Sequence, residues 1–332
     1  MKARREPVKF RVSATKARAL RPAELVLGVD GGGTKTRAVV VGNSRKVLGT
    51  GTAGPSNPLR VGVSEAAQAV REATERACAD AGVRRQDIVA AEIGLAGVKR
   101  ADLRERMREA LAGLGIKSFE VVTDADIALY GVTGGKQGLV IIAGTGSVCC
   151  GVNARGRHVC AGGWGPVAGD EGSGSWIARR GLQAVARATD GRGQKTPLVE
   201  AACDYFNVAL PDDLSTAIYA PSMTNNRLAG FGKNVVEVAK SREGVAREIV
   251  REAGRELGVA ACAVIRKLKM ERERFQIGYV GGVFGAGELI LSPLREEVAR
   301  VAPGAHFAPP ALAPAEAAAA MARELTGLAL AG

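Results

Sequence analysis

The chain is 332 residues long and 46% hydrophobic, enough for two domains with sizeable cores, yet no apolar run reaches the ~18 residues of a membrane span. A formal charge of +12 invites a nucleic-acid partner, but half of the excess lies in residues 1–24, and the aromatic-poor remainder offers no platform for stacking bases. The six cysteines, at positions 78, 149, 150, 160, 203 and 262, form no CxxC pair, which argues against a disulfide scaffold or a zinc site and makes a reducing cytoplasm the expected compartment.

The leader carries eight basic side chains against Glu6 and Glu24 and lacks the apolar core of a secretory signal, so it reads as a solvated tail without a catalytic role. The first structured stretch, Leu25–Val41, reads as strand, glycine turn, strand. Asp30 closes the first apolar run, Gly31, Gly32 and Gly33 turn the backbone, and Thr34, Lys35 and Thr36 lead into a second apolar run. A turn without side chains lets backbone N–H groups approach an anion, phosphate above all. A carboxylate at the strand end can hold the accompanying hard cation. The spacing matches neither common phosphate motif, because Thr34 stands where a P-loop places Lys and a strand rather than a helix follows. A plain glycine-rich hairpin is the alternative.

Lys46–Thr52 reads as a third strand, followed by a loop in which turn chemistry fixes Asn57 between Ser56 and Pro58. Ser64 reads as the N-cap of a helix to about Ala81. A strand at Asp87–Leu95 ends in Ala96-Gly97, and Ala101–Leu114 is a charged amphipathic helix. The strand Phe119–Val122 delivers Thr123 and Asp124 to its carboxyl end, ahead of a short helix over Ile127–Tyr130. This order implies a mixed sheet with helices against it.

The opening pattern then recurs. Leu139–Ala143 is an apolar strand, Gly144-Thr145-Gly146-Ser147 a turn of glycines and hydroxyls, and Val148–Val152 the returning strand. Two hairpins of one design imply two related halves, each offering a phosphate loop to one cleft. Ala161–Trp176 is too rich in glycine for a strand and too punctuated for a linker, and it leads into a helix over Ser175–Ala188. Asp170 and Glu171, just ahead of that helix, read as caps or as carboxylates for a polyol. Trp164 reads as core or as ligand contact. Residues 190–240 form a looser region with helical pieces, and Val245–Leu268 is a long helix. The strand Phe275–Val280 runs into Gly281-Gly282 and then a helix, an arrangement suited to the adenosine end of a nucleotide. An alanine-rich helix over Pro314–Leu330 returns to the first domain.

GVDGGGTKT, TDA, IIAGTGS, GGWGPVAGDEGSGSWI and YVGGVF, in this order, resemble the motifs of the family that holds N-acetylglucosamine kinase, glucosamine kinase and the ATPases that activate benzoyl-CoA reductase, within the actin-like sugar kinase superfamily. The resemblance runs from about Leu25 to Leu330. It implies an α/β, two-domain actin-like ATPase (ribonuclease H-like) fold, with mixed sheets flanked by helices and a cleft between domains. Residues 25–123 with about 312–332 are then the N-terminal domain and 124–311 the C-terminal one. ATP and Mg²⁺ are the implied cofactors. By resemblance Gly31–Thr36 is the first phosphate loop, with Asp30 near Mg²⁺ through water. Gly144, Thr145, Gly146 and Ser147 form the second, with Thr145 on the transferred phosphoryl group, and Gly281 and Gly282 meet adenosine. Asp124 falls on the catalytic base, and Asn57, Gly97, Gly163, Trp164, Asp170 and Glu171 fall on the substrate side.

The resemblance therefore implies phosphorylation of an amino sugar, N-acetylglucosamine or glucosamine, at its 6-hydroxyl. A carboxylate at a strand end can accept the hydroxyl proton, while loops and Mg²⁺ do the positioning and charge neutralisation of phosphoryl transfer. Asp126 competes with Asp124 for the base, and capping is the alternative role of both. Ala96 lacks the hydroxyl that N-acetylglucosamine kinases often place near the acetamido group, which keeps free glucosamine open. No nucleic acid or membrane partner is expected, and a homodimer stays open. Two other classes compete. One is a redox activator with an iron–sulfur cluster bridging two subunits, for which Cys149, Cys150 and Cys160 are candidates although the first two alternate faces on a strand. The other is a sugar-sensing regulator, for which no helix-turn-helix precedes the first strand.

Overall fold

The computed structural model describes residues 24–43 and 46–327; the basic leader, apart from Glu24, lies outside the described residues. In chain order the elements are β1 (Leu25–Gly31), β2 (Thr36–Val41), β3 (Val47–Ala53), α1 (Pro58–Val61), α2 (Val63–Ala81), β4 (Ile88–Leu95), α3 (Ala101–Leu111), β5 (Ser118–Thr123) and α4 (Asp124–Thr133). Then follow β6 (Gly138–Ala143), β7 (Ser147–Val152), β8 (His158–Gly162), α5 (Gly174–Thr189), α6 (Leu198–Phe206), α7 (Leu214–Ile218), α8 (Asn225–Lys240), α9 (Gly244–Leu268), β9 (Phe275–Val280), α10 (Glu288–Ala299), β10 (Ala305–Phe307) and α11 (Pro314–Leu325).

The described residues fall into two compact units, 24–136 with 310–327 and 137–309. Both boundaries differ from the expected ones at 123/124 and 311/312. The reason is α4, which packs on α11 and β4 and whose Gly131 carbonyl accepts the N–H groups of Ala311 and Leu312 at 2.9 and 3.3 Å. Asp124 therefore belongs to the N-terminal unit.

Each unit is built on one five-stranded mixed sheet, in the orders β3-β2-β1-β4-β5 and β10-β9-β6-β7-β8. In each, a central strand opens a hairpin, a further antiparallel strand flanks the hairpin, and two parallel strands complete the other side. The repeated grammar of the two glycine turns is thus a repeat of the sheet. In the N-terminal sheet Val29, Ile93 and Val121 join the core formed with α2 and α3, and Val26 and Ala90 meet Ala315 and Ala319 of α11. That second face is kept thin. A Cβ at Gly28 would lie 2.0 Å from the Ala315 carbonyl oxygen, and one at Gly94 would lie 2.6 Å from Ile127 Cδ1 of α4. In the C-terminal unit Leu139, Ile141 and Cys149 face a core closed by Phe231, Val235, Val264 and Ile265 of α8 and α9.

Several local expectations are corrected. The residue at the start of α2 is Gly62, with φ 84°, and Ser64 lies inside the helix. The short helix after β5 begins at Asp124 and continues to Thr133. Residues 225–240, within the looser region expected to hold helical pieces, form one regular helix, α8, capped by Thr224. The start of the glycine-rich run does join a strand, because Ala161 and Gly162 pair antiparallel with Cys149 and Val148 of β7. Finally, Cys150 and Cys160 are bonded to each other. Their separation in sequence gave no disulfide signal, but the β7–β8 hairpin makes them direct register partners.

Glu92 is 3% exposed and lies on the α11 side of β4. Burial first, then Glu120, Asp126 and Glu324, push its carboxyl from 4.5 up to about 9. The folded unit therefore holds a proton that the unfolded chain loses between pH 4.5 and about 9, so stability falls as pH rises through that window and levels off above it. Replacing Glu92→Gln keeps the position neutral and is expected to flatten this part of the profile, whose slope from Glu92 approaches ~1.4 kcal/mol per pH unit. Denaturant unfolding between about pH 5 and 9 reads it, and a variant with the wild-type slope would contradict the assignment.

Candidate active site

The first turn is set by the β1–β2 register, which places Gly31 opposite Thr36. Between them Gly32 N–H donates to the Lys35 carbonyl at 2.9 Å. The loop after β3 supports the turn from behind: Ser56 N–H donates to Gly32 O at 3.0 Å, and the Thr36 hydroxyl lies 2.7 Å from Gly54 O and 2.8 Å from the Ser56 hydroxyl. Thr36 is fully buried. Its hydroxyl, expected among the phosphate contacts, is instead the pin that holds the turn to the Ser56 loop. Gly33, Thr34 and Lys35 remain outward, and Arg60 lies against Gly33, where an added Cβ would be 3.1 Å from its Nη1.

Asn57 and Gly97 come together, since a Cβ at Gly97 (φ 87°) would lie 2.4 Å from Asn57 Oδ1. Asn57 Oδ1 also caps α1 by accepting Leu59 N–H at 3.0 Å. The cap of α4 treats Asp124 and Asp126 differently. Asp126, 5% exposed, takes Thr123 N–H at 2.9 Å and the Thr123 hydroxyl at 2.8 Å, completing a capping box. Asp124 is not used by that box. Its Oδ1 accepts the adjacent Ala125 N–H at 2.9 Å, while burial raises its pKa against that bond. Asp30, at the end of β1, is pushed to about 6, by burial first and the Asp124 charge second, with Lys35 and Arg37 opposing. A buried carboxylate at a strand end, raised further by a second carboxylate, fits a divalent cation, whose charge would relieve both desolvation and repulsion.

In the C-terminal unit Ala143 faces Ser147, and Gly144 N–H closes the turn on Gly146 O at 2.9 Å. The run after β8 grips this turn. Ser147 donates its N–H to Asp170 Oδ1 at 3.3 Å and its hydroxyl to Glu171 O at 2.7 Å, and Gly163 N–H donates to Ser147 O at 2.9 Å. The first turn of α5 closes from the other side, with Gly174 N–H on Gly144 O at 2.8 Å and Ser175 N–H on Thr145 O at 3.2 Å. Ser173 caps α5, so neither Asp170 nor Glu171 does. Asp170 is buried, holds φ 59° and has its pKa raised by burial against bonds from Ser147 and Gly165. Ser147, expected to touch phosphate, spends its hydroxyl inside this grip.

Thr145 is exposed at the tip, 3.4 Å from Asn226 Oδ1 at the start of α8. Gly281 (φ 121°) would place a Cβ 2.2 Å from Ala143 O, so the end of β9 lies directly on the start of the turn. Gly281, Gly282 and the turn thus share the carboxyl ends of parallel strands β6 and β9, where open α/β sheets bind ligands. Trp164 is 74% exposed, which removes the core alternative, and Glu171, which like Trp164 lies near Gly169, is exposed as well. Arg60 and Asn226 carry no motif: the first sits in the short helix α1 after Asn57, and the second at the start of α8.

A profile of the BadF/BadG/BcrA/BcrD ATPase family aligns with residues 27–322. The chain is 33% identical to an N-acetylmuramic acid/N-acetylglucosamine kinase of Clostridium acetobutylicum over 78% of its own length and 85% of that protein. It is 30% identical to an N-acetyl-D-glucosamine kinase of Dictyostelium discoideum, with the same two shares. A crystal structure from Chromobacterium violaceum, assigned as an N-acetylglucosamine kinase, superposes with TM-score 0.73 at 26% identity, covering 89% of this chain and 97% of that one. The architecture of the two sheets is that of the actin-like sugar kinases.

Asp170→Ala removes the acceptor for Ser147 N–H and leaves a Cβ-bearing residue at positive φ without a side chain that tolerates it. It is expected to cost about 1–3 kcal/mol in ligand-free unfolding, whereas Asp170→Asn retains an acceptor oxygen and tolerates that backbone and is expected to cost less. Equal losses in the two variants would contradict the role given to Asp170.

Proposed function

The chain belongs to the BadF/BadG/BcrA/BcrD ATPase family, and we propose that it is an amino-sugar kinase, transferring the terminal phosphoryl group of ATP to the 6-hydroxyl of N-acetylglucosamine or glucosamine with Asp124 as general base. The observation that carries the reading is the division of labour in the first turn of α4. Asp126 is consumed by the cap, and Asp124 is a buried-side carboxylate with a raised pKa beside Asp30. A base needs a pKa closer to working pH than an ordinary carboxylate has, and burial supplies that shift.

In this reading Asp124 accepts the sugar hydroxyl proton as that oxygen attacks the terminal phosphorus and ADP leaves. The N–H groups of Gly33 and Thr34, with the side chains of Lys35 and Arg60, neutralise phosphate charge. In the C-terminal unit the Gly144–Gly146 turn and the Thr145 hydroxyl bind nucleotide phosphate, Gly281 and Gly282 admit the adenosine end, and Thr36 and Ser147 brace their turns from inside. Asp30 would hold Mg²⁺, directly or through water, and the bound ion would supply charge neutralisation on the phosphates. Asn57, Gly97, Gly163, Trp164, Asp170 and Glu171 are the substrate-side set, with Asp170 acting through the loop it orders as well. The amino-sugar class rests on the names of the curated relatives. The redox-activator alternative is disfavoured by Cys149, which is 1% exposed inside the helical core and held protonated by burial.

The test is ADP release with N-acetylglucosamine, glucosamine, N-acetylmuramic acid, N-acetylmannosamine and glucose, followed by phosphorus–proton NMR of the product. The expected result is an amino sugar preferred over glucose by at least ~10-fold in kcat/KM, with phosphorus coupled to the C6 protons. Equal use of glucose, or coupling to the anomeric proton, would overturn the substrate or the position.

A further inference from the structure

We propose that the β7–β8 hairpin is a thiolate–imidazole site for a soft divalent cation, Zn²⁺, formed by Cys150, His158 and Cys160 when the two cysteines are reduced. Cys150 and Cys160 are register partners, and the next same-face pair is Val152 with His158, so all three side chains project from one face of the ladder. One donor atom from each lies within 4.8 Å of the others. Tetrahedral zinc, at about 2.3 Å from sulfur and about 2.0–2.1 Å from imidazole nitrogen, holds its ligands within about 4 Å of one another, so small side-chain rotations suffice. Two thiolates and a neutral imidazole balance the charge of the ion, which suits a group as buried as Cys150, 1% exposed. Entry is from the rim: β8 is the edge strand of its sheet, and His158 and Cys160 are partly exposed. Cys149 is excluded, because it points to the opposite face and into the helical core.

The step from the bonded pair is balanced. A thiol or phosphine reductant gives two electrons and is itself oxidised, the sulfur–sulfur bond breaks, and each sulfur takes one proton. The cation then displaces both protons to solvent and leaves one coordination position for water. The hairpin joins the two parts of the C-terminal unit that the kinase reading uses, since β7 begins at Ser147 and β8 ends at Gly162, next to Gly163. The proposal does not depend on that reading, and its test measures no turnover.

The full chain is produced in zinc-supplemented cells, handled under nitrogen with a phosphine reductant, and its zinc measured by elemental mass spectrometry. We expect about one zinc per chain in the wild type, below about 0.1 in Cys150→Ser and Cys160→Ser, and at least ~10-fold easier removal by a chromophoric chelator in His158→Ala. A second arm needs no variant. Metal-free reduced wild type titrated with Co²⁺ should show thiolate-to-cobalt charge transfer, and the oxidised form should show none. Zinc below about 0.1 in the reduced wild type, or zinc unchanged by Cys160→Ser, overturns the site. So does alkylation after denaturation that finds only four of the six cysteines free despite the reductant, which would make the pair a permanent structural bridge.

Discussion

Ile127 fills the space above β4 that a side chain at residue 94 would need, and Gly94 is the reason it can. This contact sets the height of α4 on the N-terminal sheet. Gly28 does the same for α11, whose backbone lies where a Cβ would otherwise be. With both helices drawn down onto one face, the first turn of α4 reaches the carboxyl ends of the strands, and Asp124 comes close enough for its charge to raise the Asp30 carboxyl. The C-terminal unit uses the same device at Gly281, which lets β9 close on Ala143 and the start of the second turn. Missing side chains, more than present ones, decide where the chemistry sits.

Polar groups are then sorted by what holds them. Thr36, Ser147 and Asp126 are buried and fully occupied by backbone or neighbouring side chains. Unpaired buried groups would cost about 1–3 kcal/mol each, so their bonds stabilise the turns and caps that present the outward residues. In the proposed function Asp124, Thr34, Lys35 and Thr145 are the groups that meet ligands. Asp30 lies between these classes: its carboxyl is raised to about 6 by burial and by Asp124, a state that a cation would reverse.

Much of this was legible in the chain itself. Asp30 before three glycines, and Gly144 to Ser147 between two apolar runs, mark both hairpins because strand periodicity and glycine turns are local signals. The long helix ending at Leu268 and the strand at Phe275–Val280 are equally local. What escaped was decided by partners distant in sequence. The Cys150–Cys160 pair needs the β7–β8 register, which a glycine-rich stretch conceals. The domain boundary needs the contacts of α4 with α11, whose Tyr130 and Glu324 are 194 residues apart. The inward turn of Thr36 and Ser147 depends on Ser56 and Glu171, and no spacing rule links them. Arg60 and Asn226 reach the turns only through the fold.

The account stands on Asp124 as the proton acceptor, and Asp124→Asn tests it most directly. The amide keeps the size and cannot take a proton, while the Thr123–Asp126 cap of α4 is untouched. Turnover with the preferred amino sugar should fall by about 10²–10⁴-fold, with the calorimetric Kd for ATP changed by no more than ~3-fold. A variant that turns over at near the wild-type rate would contradict the assignment of the base.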